Sequence, residues 1–326
     1  MTSSFLIENI LNPPVLYFFL GMFAVAVRSD LEIPAAITKF LTYYILIAIG
    51  FRGGAELAQG ALTFEGIITL LAAVGMALTV PIIAFYLLRH SFNTSDSAAL
   101  AACFGSVSAV TFTVAVAFLE NLQIPYGGHM IAAMAIMEAP AILIGIALYR
   151  YYSQHLSRNH FSFKKIMHEG FFNGSVLILL GSILIGFFSY QNHHALLEPF
   201  YIALFPGMLA FFLLDLGLTV GRQMKGVRFV GRPLVLYSIA IPLLSALLGF
   251  LVTLLIGMST ANAFLFIVLS ASASYIAVPA ALRSAIPTAN PALYVTAPLA
   301  ITFPFNVAIG LPLYYYLAHF VGAGGG

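Results

Sequence analysis

The sequence predicts an all-α, polytopic membrane protein. Hydrophobic residues make up 61% of its 326 residues and charged residues only 7%, whereas soluble domains carry about 25% charged residues. Apolar runs such as 67–88 and 235–256 are long enough to cross a hydrocarbon core of about 30 Å as helices. They do not alternate apolar and polar residues, as the strands of a membrane barrel would. The net charge of +2 gives no indication of nucleic-acid binding.

Proline, glycine and charged residues divide the apolar runs into about ten predicted spans. They cover residues 13–27, 34–50, 63–88, 97–119, 128–151, 171–190, 199–220, 232–257, 261–282 and 291–319. With the N-terminus outside, twelve of the thirteen Lys and Arg residues fall on the inner side, and Arg52 alone falls outside. Basic residues favour the cytoplasmic side. The sequence therefore predicts a plasma (inner) membrane protein with both termini outside the cytoplasm.

A basic loop at residues 153–170 divides the spans into two sets of five, which then have opposite orientations in the membrane. Similar segments recur 165 to 167 residues apart: Gly50 matches Gly217, the serines at 106 and 108 match those at 272 and 274, and Gly145 matches Gly310. This constant offset indicates an inverted repeat. The predicted divisions are a first five-helix repeat (1–152), a cytoplasmic linker (153–170), a second repeat (171–321) and a flexible tail (322–326).

The two matched serine clusters are the strongest candidate binding residues. Ser106 and Ser108, like Ser272 and Ser274, interrupt an apolar run that later ends at an Ile-Pro pair. A helix broken inside a membrane presents amides suited to an anion and carbonyls suited to sodium, and serine hydroxyls serve either ion. The alternative is that each serine bonds back to its own helix. The pairing of the clusters favours a binding site.

Prolines crowd the fourth, fifth, ninth and tenth predicted spans, which indicates one functional unit, with the other six spans as a frame. Asn306 in this unit offers an amide carbonyl to a cation or a bond between helices. Glu138 also lies in the unit and is a candidate for the ion pathway, because carboxylates inside a membrane are usually functional. Asp215 lies in the frame, where it either pairs with Arg222 or stays near the interface.

The segment from Ala271 to Asn306, together with 104–108, 123–126 and 213–217, resembles the sodium-dependent bicarbonate transporters first associated with cyanobacteria. The resemblance implies an inverted five-plus-five repeat with a core and a gate domain, a homotrimer, and sodium-coupled bicarbonate uptake. It also implies a PII-like cytoplasmic regulator. The residues that it nominates for the anion are Gly105, Ser108, Ser272 and Ser274, and the serine pairing adds Ser106 as a fifth predicted anion ligand. Those that it nominates for sodium are Ser108, Ser272, Thr302 and Asn306.

The predicted function is secondary active transport of a small anion, coupled to sodium, by alternating access of an elevator-like kind. No organic cofactor is expected. Alternatives are a sodium-coupled carrier of another small organic or inorganic anion, a sodium/proton exchanger that uses Glu138, and a channel. An intramembrane serine protease based on Ser106 and His129 lacks the expected Gly-x-Ser-x-Gly turn. We therefore do not expect an enzyme.

Overall fold

The computed structural model describes residues 12–59, 63–153, 174–227 and 231–323, and these ranges contain helices but no strand. The helices are α1 (Pro13–Ala26), α2 (Ala35–Gln59), α3 (Phe64–Leu88), α4 (Thr94–Gly105), α5 (Ala109–Asn121), α6 (His129–Tyr152), α7 (Gly174–Glu198), α8 (Phe205–Val227), α9 (Gly231–Ile256), α10 (Thr260–Ala271), α11 (Ala277–Ala285), α12 (Pro291–Thr296), α13 (Phe303–Phe305) and α14 (Leu311–Ala323). The π-helical turns Ala297–Thr302 and Asn306–Gly310 join the last three into one C-terminal helix. The predicted linker lies outside the described residues except for Ser153, as does the predicted tail except for residues 322 and 323.

Seven stretches of the described chain are long and apolar enough to cross a membrane. They are Ala35–Ala58, Phe64–Leu88, Thr94–Asn121, His129–Tyr152, Pro199–Met224, Gly231–Ile256 and Pro291–Val321. Three shorter apolar helices accompany them at Pro13–Ala26, Gly174–Tyr190 and Thr260–Ala271. Each of the ten predicted spans overlaps one of these stretches. The second and the ninth differ most: α2 continues to Gln59 instead of ending near residue 50, and the ninth span ends as α10 at Ala271, with α11 as a separate helix from Ala277.

Side-chain oxygens mark where several helices begin. Thr63, Asn93, Ser108 and Ser259 each precede a helix and accept a hydrogen bond from a backbone amide in its first turn. Such a bond satisfies one of the amides that a helix start leaves without a partner. Ser108 is the informative case, because it begins a helix in the middle of a predicted span. A single apolar run therefore folds as two helices, α4 and α5.

Helices α1, α2, α7 and α8 form one group, which we call the four-helix group, and its closest contacts pass through glycine. A Cβ atom on Gly217 of α8 would lie 3.1 Å from the Cα atom of Gly21 in α1. A Cβ atom on Gly50 of α2 would lie 2.8 Å from the Leu179 carbonyl oxygen of α7. Only glycine permits backbones to approach this closely. The pairs α1–α8 and α2–α7 are therefore packed backbone to backbone.

The remaining helices, α3–α6 and α9–α14, form a second group around the two broken segments, which we call the broken-helix group. Helices α3 and α6 pack against α4, and α9 and α14 pack against α10. The sequence had assigned α3 and α9 to the frame, but they contact the broken helices instead. Most residues of α4 and α10 are fully buried, whereas large apolar side chains such as Phe64 and Leu255 are exposed on α3 and α9. Exposed apolar faces of this kind suit a lipid environment.

Candidate ion-binding site

The two broken segments meet at their breaks and are hydrogen-bonded to each other. The first break separates α4, which ends at Gly105, from α5, and the second separates α10, which ends at Ala271, from α11. The amide of Ser108 donates to the Ser272 hydroxyl oxygen at 2.9 Å. The amide of Ser274 donates to the Cys103 carbonyl oxygen at 2.9 Å. The two serine clusters, 166 residues apart in sequence, therefore lie side by side.

These two connections are not equivalent. Ser274 donates directly to a carbonyl at the end of the opposite helix, Cys103 in α4. The matching carbonyl in α10 belongs to Leu269, and Ser108 reaches it only through the Ser272 hydroxyl, which donates to Leu269 at 2.9 Å. One hydroxyl group is thus inserted between α5 and α10. The bridge fixes the position of Ser108, the residue that begins α5.

A cavity of about 50 Å³ lies beside the breaks. A single water molecule needs roughly 10–15 Å³, so the cavity has room for a few waters or one small ion. Its polar lining on the broken-helix side comes from Ser108, Glu138, Ser274 and Tyr275. The four-helix group also lines the cavity, through residues of α2, α7 and α8, namely Thr42, Ile45, Leu46, Ser175, Leu179 and Phe212. The cavity therefore lies on the boundary between the two groups.

The start of α5 provides hydrogen-bond donors to this cavity. Ala109 and Val110 line it, and the first amides of a helix have no acceptor within the helix. The Ser108 oxygen accepts from the amide of Thr111 at 3.1 Å, which leaves its O–H as a donor. The Ser274 oxygen similarly accepts from the amide of Val278 at 3.4 Å. Helix starts carry partial positive charge, so the lining favours an anion.

Two of the predicted anion ligands, both in the first break, contact other helices and not the cavity. The hydroxyl of Ser106 donates to the Glu138 carbonyl oxygen at 3.2 Å, which ties the break to α6. Gly105 packs against Pro81 of α3, where an added Cβ atom would lie 2.5 Å from the proline Cδ. Neither residue lines the cavity, and neither does Ser272. Of the five predicted anion ligands, the cavity wall contains Ser108 and Ser274.

The predicted sodium ligands on the C-terminal helix both brace neighbouring helices. Thr302 donates to the Ser238 carbonyl oxygen of α9 at 2.7 Å. The fully buried amide of Asn306 donates to the Ala271 carbonyl oxygen at 2.9 Å and accepts from the Tyr314 hydroxyl at 2.9 Å. The bond to Ala271 holds the C-terminal helix against the second break. Asn306 therefore does make the interhelical hydrogen bond that the sequence left as an alternative.

The two predicted carboxylates have different surroundings. Glu138 lines the cavity, and the part of the chain that the structure describes contains no ion pair to it. Asp215 does not line the cavity but lies in α8 beside Thr38 and Arg222. Arg52 of α2 forms an ion pair with Glu120 at the end of α5, which links the two helix groups. Glu138 is thus the carboxylate that an ion in the cavity would meet.

The sequence reasoning missed two reciprocal contacts at the outer ends of the broken helices. Asp96 is the third residue of α4 and accepts from the amide of Asn290, which follows α11, at 2.7 Å. Asn262 is the third residue of α10 and accepts from the amide of Gly127, which follows α5, at 2.8 Å. Asp96 and Asn262 are 166 residues apart. The same offset that matched the serines would have identified them.

Membrane-length helices and two hydrogen-bonded breaks beside a small polar cavity are typical of membrane transporters with discontinuous helices. A sequence profile of the Na+-dependent bicarbonate transporter superfamily matches residues 13–319, nearly the whole chain. The chain belongs to this family, as the resemblance predicted. Membership implies a multi-pass, Na+-dependent bicarbonate transporter, which is not an enzyme in the catalytic sense. No curated protein matches the chain.

Proposed function

We propose that this protein takes up bicarbonate together with sodium and holds the anion in the cavity beside the two breaks. The observation that carries the proposal is the chemistry of the lining. It offers the hydroxyls of Ser108 and Ser274 and the first amides of α5, and no Lys or Arg is among the residues that line it. A small, singly charged oxyanion suits donors that carry only partial charges.

The charges around the cavity explain why a cation would be transported together with the anion. Bicarbonate brings one negative charge, and Glu138 on the same wall is a second acidic group. Charges in a site of low dielectric need a nearby charge of opposite sign. Since no basic side chain lines the cavity, a cation must enter with the anion. The family membership favours sodium for this role.

We place the sodium ion next to the anion, on the side where α4 and α10 end. The last carbonyls of a helix lack helical partners and carry partial negative charge. The Ser272 hydroxyl oxygen and the Asn306 amide oxygen each keep a lone pair beyond the hydrogen bonds described above. Thr302 lies four residues before Asn306, on the same face of the C-terminal helix. Ser108 would contact both ions.

We further propose that the chain is an inverted five-plus-five repeat. Exchanging the halves turns the α1–α8 contact into the α7–α2 contact, and both contacts pass through glycine. It also exchanges the reciprocal bonds of Asp96 and Asn262. The four-helix group then corresponds to the gate and the broken-helix group to the core. An elevator-like movement of the core past the gate would carry a cavity on their boundary from one side to the other.

The remaining assignments follow from the charge distribution and from the resemblance. The inner-side excess of Lys and Arg supports a plasma (inner) membrane protein with both termini outside the cytoplasm and residues 153–170 inside it. We adopt a homotrimer from the resemblance. A PII-like protein binding on the cytoplasmic side is the regulator that the resemblance implies.

The position of Glu138 on the cavity wall favours one competing function, a sodium/proton exchanger. In that case protonation of Glu138 would replace bicarbonate as the event coupled to sodium. A carrier of another small organic or inorganic anion is the second competitor, because hydroxyls and amides also bind carboxylates. In the first case a sodium gradient would drive protons, and in the second it would drive another anion, whereas the proposal predicts that it drives bicarbonate.

Uptake of labelled bicarbonate into proteoliposomes tests the proposal. An inward sodium gradient should drive accumulation by the wild type, and Ser108→Ala and Ser274→Ala should each lose most of it. Ser97→Ala is the matched control, because its buried hydroxyl on α4 bonds back to Phe92 and does not line the cavity. Uptake that ignores the sodium gradient, or that favours small carboxylates over bicarbonate, would contradict the proposal.

A further inference from the structure

Among the described residues, Tyr275 is the one that both lines the cavity and has a buried side-chain polar atom without a hydrogen-bond partner. It follows Ser274 in the second break, lines the cavity and is only 9% exposed. Its ring packs edge-on against Phe303 with centroids 5.9 Å apart. Its hydroxyl oxygen is buried and has no hydrogen-bond partner within the described ranges, although the Ser108 side chain lies beside it.

Other buried tyrosines of this chain do have partners for their hydroxyls. Tyr44 donates to the Phe200 carbonyl oxygen, and Tyr314 donates to the Asn306 amide oxygen at 2.9 Å. A buried hydroxyl without a partner destabilises the folded protein. A residue that lines a cavity escapes this cost when a ligand accepts its hydrogen bond. The Tyr275 hydroxyl therefore indicates where a ligand atom belongs.

We propose that the Tyr275 hydroxyl donates a hydrogen bond to an oxygen of the transported anion. Together with the Ser108 hydroxyl and the amides of Ala109 and Val110, it forms a set of donors around one small volume. Several donors from the two breaks suit an anion with two or more oxygens in a plane, such as a carboxylate or bicarbonate, better than a halide. This inference rests on the proposed function and adds the residue that selects an oxyanion.

The test compares two Tyr→Phe variants of the full-length protein. Tyr275→Phe should raise the apparent KM for bicarbonate in sodium-driven uptake by about tenfold or more, because a hydrogen bond to a charged ligand is lost. Its melting temperature without ligand should equal or exceed that of the wild type, since the removed hydroxyl had no partner. Tyr44→Phe should behave in the opposite way, with a lower melting temperature and an unchanged KM.

The outcomes separate this inference from the proposed function. Sodium-driven bicarbonate uptake by the wild type, combined with an unchanged KM in Tyr275→Phe, would overturn the inference and leave the function standing. A Tyr275→Phe protein that melts below the wild type without ligand would also overturn it, because the hydroxyl would then have a partner inside the protein. A wild type that shows no sodium-driven bicarbonate uptake would instead refute the proposed function.

Discussion

Replacing Ser272 by alanine should damage the site although its side chain does not line the cavity. Its hydroxyl accepts from the Ser108 amide and donates to the Leu269 carbonyl, both at 2.9 Å. Without it, Leu269 still accepts from the backbone amide of residue 272 at 3.3 Å, whereas the Ser108 amide loses its acceptor. An unpaired buried amide costs about 1–3 kcal/mol. We therefore expect the free energy of unfolding to fall by about 2 kcal/mol.

The same loss sets an upper limit on the effect on transport. If the full loss of about 2 kcal/mol weakens anion binding, because Ser108 is no longer held in position, the affinity for the anion falls by about 30-fold. A free energy of about 1.4 kcal/mol corresponds to tenfold in affinity. Thermal melting of the purified protein and the concentration dependence of bicarbonate uptake measure the two effects. Both should be seen in the same variant.

Ser270→Ala is the matched control for Ser272→Ala. The Ser270 hydroxyl is equally buried but donates only to a carbonyl of its own helix, that of Phe266, at 2.8 Å. A bond back to the preceding turn adds little to helix stability, so this variant should melt and transport nearly as the wild type does. If Ser272→Ala cannot be distinguished from Ser270→Ala in melting and in uptake, the bridge between the two breaks has no energetic role.

Three further predictions concern the four-helix group, the reciprocal contacts of Asp96 and Asn262, and the competing function of a sodium/proton exchanger. Gly217→Ala should lower the melting temperature by the equivalent of about 1–3 kcal/mol, because the new methyl group would meet the backbone of α1. Gly207→Ala on the same helix is the control and should be neutral, because an added Cβ meets nothing within 4 Å there. Equal melting temperatures of the two variants would refute the close packing. Asp96→Ala and Asn262→Ala should each destabilise the protein by about 1.5–3 kcal/mol, because each side chain makes a hydrogen bond that involves a carboxylate. Asp96 accepts from the Asn290 amide with its own carboxylate, and Asn262 donates to the Glu65 carboxylate at 3.2 Å. Thermal melting of either variant at the wild-type temperature would contradict this. In bicarbonate-free buffer, a sodium gradient should produce no proton flux detectable with a pH-sensitive dye; a flux that disappears in Glu138→Gln would indicate a sodium/proton exchanger.

The breaks could be located from the sequence because their cause is local. Hydroxyl residues inside an apolar run cap a helix start with their own side chains, as Ser108 does for α5. The predicted clusters lie where α4 and α10 end, at Gly105 and Ala271. The family was also recognisable from the sequence, and the match over residues 13–319 confirms it. The repeat and the division into domains stay predictions.

The role of each serine could not be predicted, because it depends on residues that are distant in sequence. Ser106 turns toward a carbonyl 32 residues away, and Ser108 reaches a hydroxyl 164 residues away. The extension of α2 to Gln59 has a similar explanation. Arg52 interrupts the apolar run and so indicated an early end, but its ion pair with Glu120 from α5 compensates the charge within the helix. No local pattern reveals such a partner.

Protection of a cysteine in the cavity tests most directly whether the ions bind beside the breaks. The single native cysteine, Cys103, is fully buried, so Ala109→Cys at the cavity wall provides the reporter. Bicarbonate and sodium together should slow its reaction with a small thiol reagent, while either ion alone should not. A cysteine at the partly exposed position Ser95, which does not line the cavity, is the control and should react at the same rate throughout. A reaction rate at position 109 that both ions together leave unchanged would contradict the account.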